Sequence, residues 1–194
     1  MKEILLLLPK GAELWEAAAF TDVFGWNQVC GDKSCRLRIA GPAKEVALSF
    51  GHRMQAELLW DAVVAEDYAA LAIPGGFPRY GYFRCCGRRP LELIRSFHQA
   101  QKPIAAVCTA SLLLGKAGIL QGRRAATYCS GDTDFRQQLA ACGAKVSGES
   151  LVEDGNLISG AGPGSAAQVA LALLARCSSP ENAAKIKNLM LFEK

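Results

Sequence analysis

The sequence predicts an α/β fold, a mostly parallel central sheet covered by helices on both faces. Three observations carry that prediction. Ile4–Leu8 and Ile104–Val107 are short, uninterrupted apolar runs, the pattern of parallel strands buried on both sides. Segments with helical spacing of apolar residues alternate with such runs along the chain. The core runs also stop abruptly at turn residues, as Asp67–Ile73 does at Pro74-Gly75-Gly76.

Each element has its own signal. After the Ile4–Leu8 strand, Leu14 to about Val29 reads as a helix with Phe20, Val23, Phe24 and Asn27 on one stripe. Leu37–Ala40 is a second strand ending at Gly41-Pro42, and Val46–Ser49 with Arg53–Ala56 forms a small hairpin parted by Gly51. Pro90 fits the first position of a helix carrying Leu91, Leu93, Ile94 and Phe97. Ile104–Val107 leads directly into a helix from Thr109 to about Ala117, ended by Gly118. Ala125–Tyr128 is a strand candidate, Phe135–Ala141 a helix and Lys145–Val146 a strand. Leu151-Val152 and Leu157-Ile158 flank an Asp-Gly hairpin signal. Two helices close the chain, Ser165 to about Arg176, with Ser165 as N-cap, and Pro180 to Met190. No linker, repeat or compositional break divides residues 1–194, so a single domain is expected.

Composition narrows the function. The chain is 51% hydrophobic and 21% charged, an ordinary balance for a globular protein with a sizeable core. Its net charge of +4 is spread along the chain, so no nucleic-acid partner is expected. Arg84–Arg89, around Cys85 and Cys86, is the densest basic stretch; it reads as a solvated loop, with anion capture as the alternative. The first apolar run ends at Pro9-Lys10, short of the roughly 7–15 residues of a signal-peptide core, and Glu3 precedes it. No stretch reaches the ~20 apolar residues of a membrane span, so a cytoplasmic protein with no membrane contact is expected. The eight cysteines include no C-x-x-C pair and no finger-spaced histidine, so neither a metal nor another cofactor is expected. Most of them read as small core hydrophobes.

In parallel sheets ligands bind beyond the carboxyl ends of the strands. The alternation of elements places several chemically able residues there: the turn from Gly11 to Glu16, Gly75-Gly76, Cys108, and the turns around Tyr128 and Gly160–Gly164. Cys108 lies between a strand and a helix, where a side chain projects above the sheet like the nucleophile elbow of hydrolases. The helix start favours a thiolate, so a thiol pKa below about 8.5 is expected; the alternative is a buried, inert cysteine. Glu16, held near that thiolate, is expected to be protonated and able to shuttle a proton. The alternative is a glutamate favoured near a helix N-terminus, which Glu13 fits better. The backbone amides of Gly75, Gly76 and Thr109 could form an oxyanion hole, or the glycines could simply make a tight turn. Tyr128 is a candidate for hydrogen bonding to substrate or thiol, or a packed aromatic. Neither His52 nor His98 is placed to serve Cys108.

These residues match a known pattern. Ala105-Ala106-Val107-Cys108-Thr109-Ala110, followed by Leu114-Gly115-Lys116-Ala117-Gly118-Ile119-Leu120 and Gly122-Arg123, resembles the nucleophile segment of the ThiJ/PfpI superfamily. Gly11-Ala12-Glu13 through Glu16 resembles its first loop, Ile73-Pro74-Gly75-Gly76 its glycine turn, and Gly162-Pro163-Gly164 its C-terminal loop. The resemblance implies a flavodoxin-like three-layer α/β/α sandwich, assembled as a homodimer. It implies Cys108 as nucleophile, Glu16 as its carboxyl partner, and oxyanion amides at Gly75 or Gly76 and Thr109. Relatives consume α-oxoaldehydes, act as proposed deglycases, hydrate isonitriles, cleave amides and peptides, or serve as chaperones and oxidative-stress sensors. The Cys108-Thr109 pair is most similar to the isonitrile hydratase branch and to the amidotransferase-like halves of certain regulators.

Two departures shape the expected chemistry. Thr127-Tyr128 stands where many members carry a histidine, and tyrosine, with a reference pKa of about 10, is no imidazole substitute near neutral pH. Ala161 stands where some members place an anion-binding arginine. The expectation is therefore a cysteine-dependent hydrolase or lyase acting by a Cys-Glu mechanism on a small electrophile of the α-oxoaldehyde, isonitrile or amide class. The rivals are an oxidative-stress-sensing thiol protein, with Cys85, Cys86 or Cys129 as resolving thiol, and an inactive interaction scaffold.

Overall fold

The alternation of apolar runs and amphipathic segments resolves into a layered sheet. A computed structural model describes residues 1–131 and 133–192. The chain runs through β1 (Lys2–Leu7), α1 (Leu14–Cys30), β2 (Cys35–Gly41), β3 (Glu45–Ala47), β4 (Arg53–Gln55), β5 (Leu58–Leu59) and β6 (Ala70–Ile73). It continues through α2 (Tyr82–Cys85), α3 (Arg88–Gln99), β7 (Ile104–Val107), α4 (Ser111–Lys116), β8 (Arg124–Ala125), α5 (Phe135–Ala141) and β9 (Lys145–Val146). β10 (Leu151–Asp154), β11 (Leu157–Gly160), α6 (Ala166–Cys177) and α7 (Pro180–Leu189) complete it. A seven-stranded sheet runs in the order β10-β11-β7-β6-β1-β2-β5, parallel except for the β10–β11 hairpin.

Strand alternation explains why β1 is apolar throughout. Ile4 and Leu6 face α1, α6 and α7, whereas Leu5 and Leu7 face the side covered by α3, α4 and α5. The fold is thus the flavodoxin-like α/β/α sandwich. Among the described residues no helix is long and apolar enough to cross a membrane.

Register places the site. Leu6 pairs with Ala72, and Ile73 with Ala106, so β1, β6 and β7 end side by side. Chain reversal around β1 puts β2 on one flank and β6 on the other, a topological switch point where a crevice opens. The antiparallel β3–β4 hairpin is stitched to the loop after β1: Ser49 donates its N–H to Ala12 O at 2.9 Å and its hydroxyl to Gly11 O at 2.8 Å.

Several boundaries differ from the sequence reading. The helix carrying Pro90 starts at Arg88, which makes Pro90 its third residue; the first four helical N–H groups lack partners, so proline costs nothing there either. The strand expected from Asp67 begins at Ala70, because residues 65–67 form a short 3-10 turn. The strand expected over Ala125–Tyr128 ends at Ala125, since its partner β9 is two residues long and lies off the main sheet. The helix after Cys108 opens with a 3-10 turn and becomes α-helical at Ser111. Ser165 occupies the N-cap of α6, yet its hydroxyl turns back to donate to Gly162 O at 2.8 Å.

Candidate active site

Cys108 follows β7 directly and adopts φ = +58°, a left-handed conformation that L-residues other than glycine rarely hold. Such strain persists where surrounding contacts over-determine it. Here Thr127, buried, donates its hydroxyl to Cys108 O at 3.0 Å, and Ser111 donates to Ala126 O at 2.6 Å. The segment read as a strand end therefore clamps the elbow instead. Thr127 is a positioning residue that the sequence reading missed, because nothing local relates it to Cys108.

Glu16, the third residue of α1, is fully buried. Its Oε2 accepts the Gly75 N–H at 2.6 Å, while Oε1 has no nitrogen or oxygen partner. The Cys108 thiol hydrogen-bonds to the same carboxyl group. Burial pushes Glu16 up to about 8, and the nearby Glu13 charge adds to it, against the Gly75 N–H and the Cys108 thiol. The carboxyl is therefore mostly protonated at neutral pH, through burial rather than through the neighbouring thiolate expected from sequence.

The Cys108 thiol departs from expectation. Burial pushes it well above the ordinary range and a Glu16 carboxylate pushes it further, whereas the Thr109 N–H pulls it down. The helix start supplies the expected stabilising amide, but burial outweighs it. When Glu16 holds the proton, its repulsion vanishes and the pair shares its protons as one unit.

The glycine turn is built for contact. A Cβ on Gly75 would lie 2.8 Å from both Glu16 Oε2 and Cys108 Cβ. A Cβ on Gly76 would lie 2.2 Å from Gly11 O and 2.5 Å from the Tyr82 ring. The amides proposed for an oxyanion are already engaged: Gly75 N–H donates to Glu16, and Gly76 N–H donates to Thr109 Oγ1 at 2.9 Å. Thr109 Oγ1 in turn donates to Gly76 O at 2.8 Å. That leaves the Thr109 amide, beside the sulfur, as the donor nearest the reacting atom.

Above Cys108 lies a cavity of about 400 Å³, walled by Glu13, Phe77, Pro78, Tyr128, Phe135 and Pro163. Tyr128 thus reaches the pocket, half-buried and packed against Gly162. Glu13, read from sequence as a helix-end glutamate, stands in the pocket wall, and partial burial raises its carboxyl. Its neighbours in this wall come from distant loops, so no local signal distinguished it. His52 is exposed and His98 sits on α3; neither lines this pocket. The anion-capture alternative for Arg84–Arg89 loses two of its guanidinium groups. Arg88 pairs with Glu92 at 2.5 Å, and Arg89 donates to the carbonyl oxygens of Trp60 and Val63.

The DJ-1/PfpI family model matches residues 2–176. Protein dj-1beta of Drosophila melanogaster is 28% identical over 196 aligned positions, covering 98% of this chain and 97% of that protein. Deglycase PfpI of Pyrococcus furiosus is 28% identical, covering 59% of this chain and 65% of its own length. Against the longer DJ-1 homolog B of Arabidopsis thaliana, identity is 27% and the chain spans 42% of that relative. The crystal structure of Drosophila melanogaster DJ-1beta superposes with a TM-score of 0.86 at 24% identity, covering 100% of this chain and 99% of that one. A strained cysteine elbow, a buried glutamate bonded to the glycine turn and a family match along nearly the whole chain lead to one conclusion: the protein belongs to the DJ-1/PfpI family.

Proposed function

We propose that the protein is a cysteine-dependent enzyme acting on a small, uncharged electrophile, with an α-oxoaldehyde such as methylglyoxal as the best-fitting class. One observation carries this reading: a thiol on a strained elbow shares a buried, neutral carboxyl group beneath a largely apolar pocket. Neither lysine nor arginine lines that pocket among the described residues, which favours a neutral substrate. An isonitrile or amide would use the same nucleophile.

In the proposed reaction Cys108 Sγ bonds to the aldehyde carbon and the C=O π pair moves to oxygen. Glu16 accepts the thiol proton while giving its own to the forming alkoxide, so a hemithioacetal results with Glu16 unchanged. The Thr109 amide stabilises the developing oxyanion. Transfer of the C1 proton to C2, with Glu13 as the pocket carboxylate that carries it, and of the C1 hydroxyl proton to the C2 carbonyl oxygen converts the hemithioacetal into a thioester. Hydrolysis then releases a 2-hydroxy acid and restores the thiol. Residues 1–194 are taken as one catalytic domain, and the functional unit as a homodimer.

Methylglyoxal consumption by wild type, Cys108→Ser and Glu16→Gln is the test. Cys108→Ser is expected to abolish turnover, and Glu16→Gln to lower kcat by about 10²-fold, the size of a lost acid–base step. Unchanged consumption in Cys108→Ser would sink the proposal.

A further inference from the structure

Outside the elbow, two neighbouring thiols are in contact. Cys85 ends α2 and Cys86 caps it, with their sulfur atoms 3.8 Å apart. Cys86 is buried, 6% exposed, whereas Cys85 is half-buried and its thiol donates to the carbonyl oxygen of Tyr82 at 3.1 Å and to that of Lys10 at 3.7 Å. Lys10 adds positive charge at Cys85 and Lys116 at Cys86. The contact with Cys86 lowers Cys85, and burial works against it. Cys86 moves strongly upward, through its contact with Cys85 and through burial. Burial raises Cys35, Cys108 and Cys177 as well. Thiolate character and access set thiol reactivity, and Cys85 combines the two better than the Cys108 elbow.

We propose that Cys85 and Cys86 form a second redox site, in which a hydroperoxide converts the adjacent thiols into a reversible vicinal disulfide. The Cys85 thiolate attacks the peroxide, an S–O bond forms as O–O breaks, and the alcohol or water half leaves. Cys86 sulfur then displaces the hydroxyl group from Cys85, its own proton departing with that hydroxyl as water. Two thiols lose two electrons and the hydroperoxide gains them. Adjacent α-carbons lie about 3.8 Å apart, below the roughly 4.4–6.8 Å of ordinary disulfides, so the ring is strained and readily reduced. A bond of that kind suits a switch better than a permanent brace. The pair is independent of catalysis by Cys108, although Tyr82, at the other end of α2, donates to Pro74 O at 2.6 Å beside the glycine turn.

The test is an equimolar hydrogen peroxide titration of the full chain, followed by iodoacetamide and non-reducing mass mapping with a protease that keeps both cysteines in one fragment. The expected product is that fragment, unalkylated and two hydrogens lighter, recovered by dithiothreitol. The same product is expected in Cys108→Ala, which separates this site from the elbow. In Cys86→Ser, Cys85 should instead accumulate as sulfenic acid trapped by dimedone. Without oxidant, Cys85 should be alkylated at neutral pH at least about tenfold faster than Cys108. If Cys108 or Cys129 is oxidised while Cys85 and Cys86 both remain alkylatable, or if Cys85 pairs with a distant cysteine, the proposal is overturned.

Discussion

Glu16 keeps its proton through a pH range in which an ordinary glutamate has lost it, and that difference couples the site to stability. Folded, it titrates near 8; its ordinary value is 4.5. Between those two pH values the folded chain holds a proton that the unfolded chain has released, so stability falls as pH rises, by about 1.4 kcal/mol per unit. The contribution is fully present below 4.5 and gone above 8. Cys108 is also raised, but from an ordinary 9.0, so its share of the same effect lies at higher pH. Glu16→Gln removes the titration while keeping a side chain that can accept from the Gly75 N–H. Urea unfolding at intervals between about pH 5 and 8 should show wild type losing stability steeply and Glu16→Gln changing little. Parallel curves would mean that Glu16 is ionised in the folded protein.

At the scale of elements, the turn after β6 holds two loops at a fixed spacing. A Cβ added at Gly75 would lie 2.7 Å from Val107 O and 2.8 Å from Cys108 Cβ. Neither neighbour can retreat, because β7 and the elbow are fixed by the sheet and by Thr127. Gly75→Ala should cost about 1–3 kcal/mol, the usual penalty of overpacking, and should separate Glu16 from the thiol. Turnover should therefore fall further than the loss of folded protein explains, as urea unfolding and methylglyoxal assays on one sample would reveal. Wild-type values in both would show that the turn yields. The same turn marks where sequence reading stopped. β7 and the cysteine after it were legible because an apolar run broken by a helix start is a local pattern. The hydrogen bond from Gly75 to Glu16 spans 59 positions, and the clamp from Thr127 to Cys108 spans 19. Such bonds depend on strand order, which local periodicity does not contain. So the sequence could bring Cys108, Glu16 and the glycines to one sheet edge, where they meet, but not the engaged glycine amides, Glu13 in the pocket wall or the raised Cys108 thiol.

For the whole molecule, α1 faces two ways. Its inner stripe of Glu16, Phe20, Val23, Phe24 and Asn27 is buried, while Trp15, Trp26 and Val29 stand 62%, 39% and 75% exposed. Gly25 sits among them with open space above its Cα, beside a shallow depression bordered by Thr21, Trp26 and Val29. Large apolar side chains around a glycine suit close approach of an identical helix, and a two-fold axis buries such a patch against itself. The proposed homodimer is therefore placed on α1. Sedimentation velocity at micromolar concentration should give a dimer for wild type and a monomer for Trp26→Glu combined with Val29→Glu. These two residues lie on the solvent side of the helix, away from the thiol, so near-UV circular dichroism should show the variant's core intact. A wild type that sediments as a monomer would end the dimer proposal, and a variant that stays dimeric would move the interface to another face. Because the helix that presents the interface also carries Glu16 on its buried side, pairing would brace the carboxyl against Cys108. The monomeric variant should accordingly retain its fold and lose part of its turnover.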